Sequence, residues 1–177
     1  MIETFFHLAG TDILDLGQIA DGYRSHFPHS RYTTLDVNPL SGADVIADAH
    51  QLPFQDHTFD TVISDCLLEH CHSPHLVVQE IHRVLKPDGW VILSTPFIHP
   101  YHGGTNCGTH CPDYYRFTKD GLAFLFKDFE THLHSDGGFL YALGSFFPRL
   151  APLFHFADRF YPRGQSRHMY IVVARKI

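Results

Sequence analysis

Short apolar runs, four to seven residues long, recur along this chain between breaks marked by glycine, proline or charge. Residues 12–16 (DILDL) form the first and end at Gly17. Residues 31–37 (RYTTLDV) are rich in β-branched side chains, and residues 44–47 (DVIA), 58–64 (TFDTVIS) and 90–95 (WVILST) follow. Residues 130–134 and 168–174 (HMYIVVA) close the series. Runs this short, bounded by turn formers, read as strands. Between them the period changes. Leu76, Val77, Glu80, Ile81, Val84 and Leu85 recur at helical spacing after Ser73-Pro74, a cap and first-turn signature, and stop at Lys86-Pro-Asp-Gly89. A short helix over 19–27, halted before Pro28, and one capped by Thr118 and running to Lys127 complete the pattern. Such alternation predicts βαβ units around a mostly parallel sheet.

Two stretches break the alternation. Residues 96–116 are irregular and rich in Gly, His, Cys and Tyr, and structureless loops of that length in a small domain are usually functional. Residues 139–165 are aromatic and interrupted by Pro148, Pro152 and Pro162, which predicts broken helices inserted before the last strand. We expect them to cover the sheet; an apolar acceptor pocket or a dimer face is the alternative.

Composition narrows the function. At 177 residues, a single domain over 1–177 is expected. A net charge of -6 argues against nucleic-acid binding, which needs clustered Lys and Arg. No apolar run reaches about 18 residues, so no membrane span is expected. The first residues lack a leader pattern, and a chain this long needs no disulfides, so the four cysteines are read as reduced thiols of a cytoplasmic protein. The 16 histidines supply groups for acid–base chemistry near neutral pH.

In an open α/β sheet, ligands bind beyond the carboxyl ends of the strands. The residues there are Gly17, Asp36, Asp48, Asp65 and Pro96. Asp36 lies 19 residues beyond Gly17, close to the offset at which an acidic residue meets a nucleoside ribose.

The string Ile13-Leu-Asp-Leu-Gly17 resembles the first motif of class I S-adenosylmethionine-dependent methyltransferases of the type 11 kind. Residues 44–54, with Phe59-Asp60 after them, are similar to that family's adenine-proximal segment. Leu68-Glu-His70 and residues 80–89 resemble the exit of its fourth strand and the helix beyond, and Asp113-Tyr-Tyr-Arg-Phe-Thr118 resembles a subgroup of it. The resemblance spans roughly residues 12–135 in order. It implies a Rossmann-like, doubly wound, mostly parallel seven-stranded sheet with helices on both faces and an antiparallel last strand. By position it implies that Asp15 and Gly17 shape the turn beside the methionine moiety, Asp36 holds the ribose, and Val37 flanks the adenine. Asp48 would accept from the adenine amino group, with Ala49 lending its backbone, while Asp65, Cys66 and His70 line the boundary with the acceptor. The cofactor implied is S-adenosylmethionine, and the acceptor a small molecule or glycan-like compound.

The first turn departs from the family's D-x-G-x-G-x-G: only Gly17 is in place, followed by Gln18, Ile19, Ala20 and Asp21. A binding module that has lost turnover is therefore the alternative function. A nicotinamide-dependent oxidoreductase is disfavoured because G-x-G-x-x-G is absent. Only about a dozen residues precede the first strand, so either an open cofactor site or a lid completed by a homodimer or partner protein is expected. Candidate catalytic bases are His70, His99 and His102, with Tyr101 and Tyr115 positioning the acceptor. Cys107, Cys111, His99 and His102 have zinc-ligand chemistry, but their loop resembles a metal-free family segment, and no metal ligand is assigned.

Overall fold

The computed structural model describes residues 2–17, 22–104, 111–158 and 168–177. Seven strands form one sheet: β1 (Asp12–Leu16), β2 (Arg31–Asp36), β3 (Val45–Ile46), β4 (Phe59–Asp65), β5 (Leu85–Pro96), β6 (Phe129–Asp136) and β7 (Met169–Lys176). Their spatial order is β3-β2-β1-β4-β5-β7-β6. The first five strands run parallel, and β7 lies antiparallel between β5 and β6. Strand order reverses between β1 and β4, so a crevice opens beside the carboxyl ends of those two strands.

Helix α1 (Pro74–Val84) buries Val77, Val78, Ile81 and Val84, the stripe its spacing predicts. It packs with α2 (Lys119–Leu125) over one sheet face, onto Leu14, Leu16, Val62, Val91, Leu93 and Val172. The opposite face carries Ile13, Ile63, Ile92, Ile171 and Val173, covered by Ile2, Phe5 and Phe6 of the 3₁₀ helix Ile2–Leu8 and by Tyr23 and Phe27. Strand alternation explains the division: Ile13 and Leu14 point to opposite faces.

Several elements differ from the sequence reading. Of the helix expected over 19–27, residues 18–21 lie outside the described residues, and the rest is a single 3₁₀ turn, Arg24–His26. Tyr23 and Phe27 are drawn to the second face by aromatic contacts with Phe6, which leaves little length for α-helix. The turn expected at 86–89 is absorbed into β5, because Leu85 already pairs with Phe59 ahead of an irregularity between Phe59 and Thr61. Thr118 caps α2 as expected, accepting from the Gly121 N–H at 3.1 Å. Ser73 precedes α1 without a capping hydrogen bond from its side chain.

The aromatic insertion forms α3 (Phe139–Phe146), a 3₁₀ turn (Pro148–Leu150) and α4 (Ala151–Asp158). Tyr141 of α3 stacks on His155 of α4, with centroids 4.0 Å apart. Phe146, Phe147, Leu150 and Leu153 remain exposed, so only part of the apolar surface of this segment is used as cover. No helix among the described residues is long and apolar enough to cross a membrane.

Candidate functional site

The two ends of the parallel sheet treat their carboxylates differently. At the amino end, Asp12 is bound by Arg31 and by Lys86 at 2.8 Å, which holds it down at about 2. Lys86 also bridges to Asp60 at 2.8 Å. These are paired charges that fasten strand starts together. At the carboxyl end, burial dominates. Asp15 is almost fully buried and is pushed up to about 6, against the opposing hydrogen bond from the Tyr32 hydroxyl at 2.6 Å. Burial also raises Asp36 at the tip of β2, outweighing the Asn38 N–H at 2.6 Å. Buried acids with raised pKa values, gathered at the end of a sheet where ligands bind, mark a functional region.

Gly17 ends β1 with φ +74°, and its N–H reaches the Leu35 carbonyl at 2.8 Å. A Cβ here would lie 2.9 Å from Leu67 Cδ1, so glycine is needed both for the backbone angle and for space. Asp65 ends β4. One of its carboxylate oxygens accepts from the Tyr23 hydroxyl at 2.6 Å and the other from Ser94 Oγ. Cys66 follows in the left-handed region (φ +55°), and burial raises its thiol, with Glu69 and Asp65 adding to the effect. Asp48 accepts from the N–H of His50 at 2.9 Å and from its ring at 2.6 Å, which outweighs burial and keeps the carboxyl low. Ala49 is buried and Val37 is exposed. Gly17, Asp36 and Asp65 thus end adjacent strands, while the rest of the first turn, Gln18 to Asp21, lies outside the described residues.

Beyond β4, the 3₁₀ turn Leu68–His70 delivers a second group. His70 Nε2 lies 3.1 Å from His102 Nε2. The His99 ring stands 4.9 Å from that of His102, so all three histidines picked out in the sequence are neighbours. His70 donates from Nδ1 to the Pro112 carbonyl at 2.6 Å. His102 Nδ1 lies 3.3 Å from Asp113 Oδ2, and burial lowers its pKa. Arg116 grips Asp113 through both guanidinium NH groups and donates to the Pro100 carbonyl at 2.8 Å. Asp113 is thereby held at about 2.

Sequence reasoning does not reach Glu69, Asp113 and Arg116, although the strings that contain them, 68–70 and 113–118, carry part of the family resemblance. Glu69 is the central omission. Its side chain is fully buried, and it accepts from Thr95 Oγ1 at 3.3 Å through Oε2, while Oε1 has no hydrogen-bond partner among the described residues. Its backbone carbonyl takes the N–H groups of Tyr114 and Tyr115, tying the 111–117 segment to the turn. Tyr115 donates its hydroxyl to the His72 carbonyl at 3.0 Å and Tyr101 is exposed, which leaves both outside the histidine group. Cys107 and His110 lie outside the described residues. Cys111 pairs through its backbone with Gly104, and His102 turns toward His70 rather than toward that loop.

Residues 17–93 match the family model described as "Methyltransferase domain". A stretch of 51 residues is 45% identical to malonyl-[acyl-carrier protein] O-methyltransferase of Marinomonas sp. (strain MWYL1), covering 29% of this chain and 19% of that protein. The chain thus spans about a fifth of the length of the curated relatives it matches. Among solved structures, the [4+2]-cyclase SpnF superposes with a TM-score of 0.66 at 18% identity, over 99% of this chain and 79% of that one. Phosphoethanolamine N-methyltransferase 2 of Haemonchus contortus, in complex with S-adenosyl-L-methionine, superposes with a TM-score of 0.65 at 17% identity, over 99% of this chain and 51% of that one.

Proposed function

We propose that this chain, which belongs to the class I S-adenosylmethionine-dependent methyltransferases, transfers a methyl group to a small-molecule or glycan-like acceptor. The observation that carries this reading is the set of acidic groups at the carboxyl ends of β1, β2 and β4, beside the left-handed turn at Gly17. Their chemistry fits the cofactor. Asp36 would accept from ribose hydroxyls and Asp48 from an adenine amino group, with Ala49 beside it. Gly17 keeps clear the space that a side chain would fill. Bound S-adenosylmethionine supplies an activated methyl group. What remains for the protein is to orient the acceptor and take its proton. His70 and His102 suit the second task, since each is fixed by a contact at Nδ1 and the two can pass a proton between their Nε2 atoms. Asp113 and Arg116 hold His102 in place. A second copy or a partner protein is assigned the remaining cofactor lid.

A non-catalytic module is favoured by one feature. The Tyr23 hydroxyl already occupies Asp65, and the Gly22 backbone lies against Asp15, so Gly22 and Tyr23 reach the carboxyl ends of β1 and β4. The cyclase among the structural neighbours illustrates that this fold does not fix its chemistry. Calorimetric titration with S-adenosylmethionine and S-adenosylhomocysteine separates the readings. Micromolar binding of both, weakened at least tenfold by Asp36→Ala, is expected. No heat at millimolar ligand would overturn the cofactor site.

A further inference from the structure

The histidine pair contains an unresolved conflict. His70 Nδ1 faces a carbonyl at 2.6 Å and must carry its proton there, because a carbonyl only accepts. His102 Nδ1 faces two acceptors, Asp113 Oδ2 and the Pro100 carbonyl, each at 3.3 Å, and one donor, the Arg116 guanidinium, at 3.4 Å. With both protons on Nδ1, the two Nε2 atoms present lone pairs to each other across 3.1 Å; with the His102 proton on Nε2 the nitrogens hydrogen-bond, but Glu69 Oε1 gains no donor. Glu69 Oε1, buried and without a hydrogen-bond partner among the described residues, lies 3.8 Å from His102 Nε2 and 4.0 Å from His70 Nε2. A proton shared by the two rings would relieve the nitrogen pair but leave the carboxylate oxygen unsatisfied, and an unsatisfied buried charge is costly. A single cation among the three atoms resolves both conflicts.

We propose that Glu69, His70 and His102 form a binding site for one divalent transition-metal ion of the zinc type. The three donor atoms make a triangle with sides of 3.1, 3.8 and 4.0 Å. Its circumradius, the product of the sides over four times the area, is about 2.1 Å, which matches the ordinary length of zinc–nitrogen and zinc–oxygen bonds. Two imidazoles and one carboxylate are a common donor set for zinc. The surroundings complete the pattern, since Asp113 stands behind His102, a backbone carbonyl behind His70 and Thr95 behind Glu69, as outer partners of metal ligands do. The His102 side chain is 31% exposed, so the group can be reached from solvent. This set differs from the Cys/His loop whose chemistry stood out in the sequence. It shares His102 with that loop but uses no thiol.

Ion binding stands apart from methyl transfer. Use of the ion to lower the pKa of an acceptor hydroxyl rests on the methyltransferase reading; there the two rings would serve as ligands and not as bases.

The test is titration of the full chain, purified without a histidine tag, with Zn²⁺ in competition with a chromophoric chelator. One tight site per wild-type chain is expected. Glu69→Gln and His102→Ala should each weaken it at least tenfold, while Cys107→Ser/Cys111→Ser should leave it unchanged. Circular dichroism checks folding; His102 is the most exposed of the three ligands, so its variant decides if Glu69→Gln fails to fold. Co²⁺ in place of Zn²⁺ should give d–d bands without thiolate charge transfer. Absence of a tight site, a site indifferent to His102→Ala, or a thiolate band lost with the two cysteines would each overturn the proposal.

Discussion

Asp15 shows how one residue can report on the state of the whole crevice. Its carboxyl is buried under Tyr23 and faces the Tyr32 hydroxyl, with Asp65 opposing its ionisation and Arg24 favouring it. Burial raises its pKa from 3.8 to about 6, so the folded protein binds this proton more tightly than the unfolded chain does. Stability from this group is therefore complete below pH about 4 and is lost as pH rises through 6. A shift of that size corresponds to roughly 3 kcal/mol. Asp15→Asn has no such proton. Its stability relative to wild type should rise by roughly 2–3 kcal/mol between pH 4 and pH 7, read from urea denaturation at each pH. Parallel stability curves for the two proteins would mean that Asp15 ionises as it does in water. Asp15 could be singled out from its sequence alone because it sits two positions before the glycine that ends an apolar run. Glu69 could not, although it adjoins His70. Acidic residues are common near turns, and only folding reveals that one of its oxygens is sealed away without a partner.

At the scale of elements, the sequence was most readable where burial is continuous and least readable where one side chain substitutes for regular structure. β1 appeared where its apolar run predicted it, and β4, β5 and β7 within a few residues of theirs. The segment between β3 and β4 carries no periodic signal, yet it is ordered by Arg83 of α1. That guanidinium donates to the carbonyls of Phe54 (2.8 Å) and Leu52 (3.0 Å), to Asp56 at 2.8 Å, and to both oxygens of Glu80 at 2.7 Å. Glu80 in turn accepts the Leu52 N–H at 2.7 Å. A planar fork makes this set of contacts and an ammonium cannot. Arg83→Lys should therefore cost about 2 kcal/mol, seen as a lower urea midpoint with unchanged slope. Because the same segment begins at Asp48 and Ala49, cofactor affinity should fall with it. A midpoint equal to wild type would show that charge alone holds the connection.

The arrangement of the whole molecule makes its last described strand indispensable. Strand order is not written along the chain. β7 is last in sequence but lies inside the sheet, paired from Trp90↔Arg175 to Pro96↔Met169 on one side and from Phe129↔Lys176 to Asp136↔Met169 on the other. Residues 169–174 are all buried. Lys176 is buried too, and its ammonium donates to the carbonyls of His82 (2.7 Å) and Leu85 (2.8 Å), closing the end of α1 onto the sheet. Removing residues 169–177 would strip β6 of its neighbour and open the β5 edge, exposing unpaired backbone and the apolar groups of both faces. The shortened chain should show no cooperative thermal transition and should aggregate, whereas loss of the exposed Ile177 alone should change stability by less than about 0.5 kcal/mol. Cooperative unfolding of the chain ending at 168 would mean that the five parallel strands form a self-sufficient unit. The pairing makes that outcome unexpected, because β5 reaches its full length only against β7, and β5 also forms one wall of the crevice where Ser94 holds Asp65.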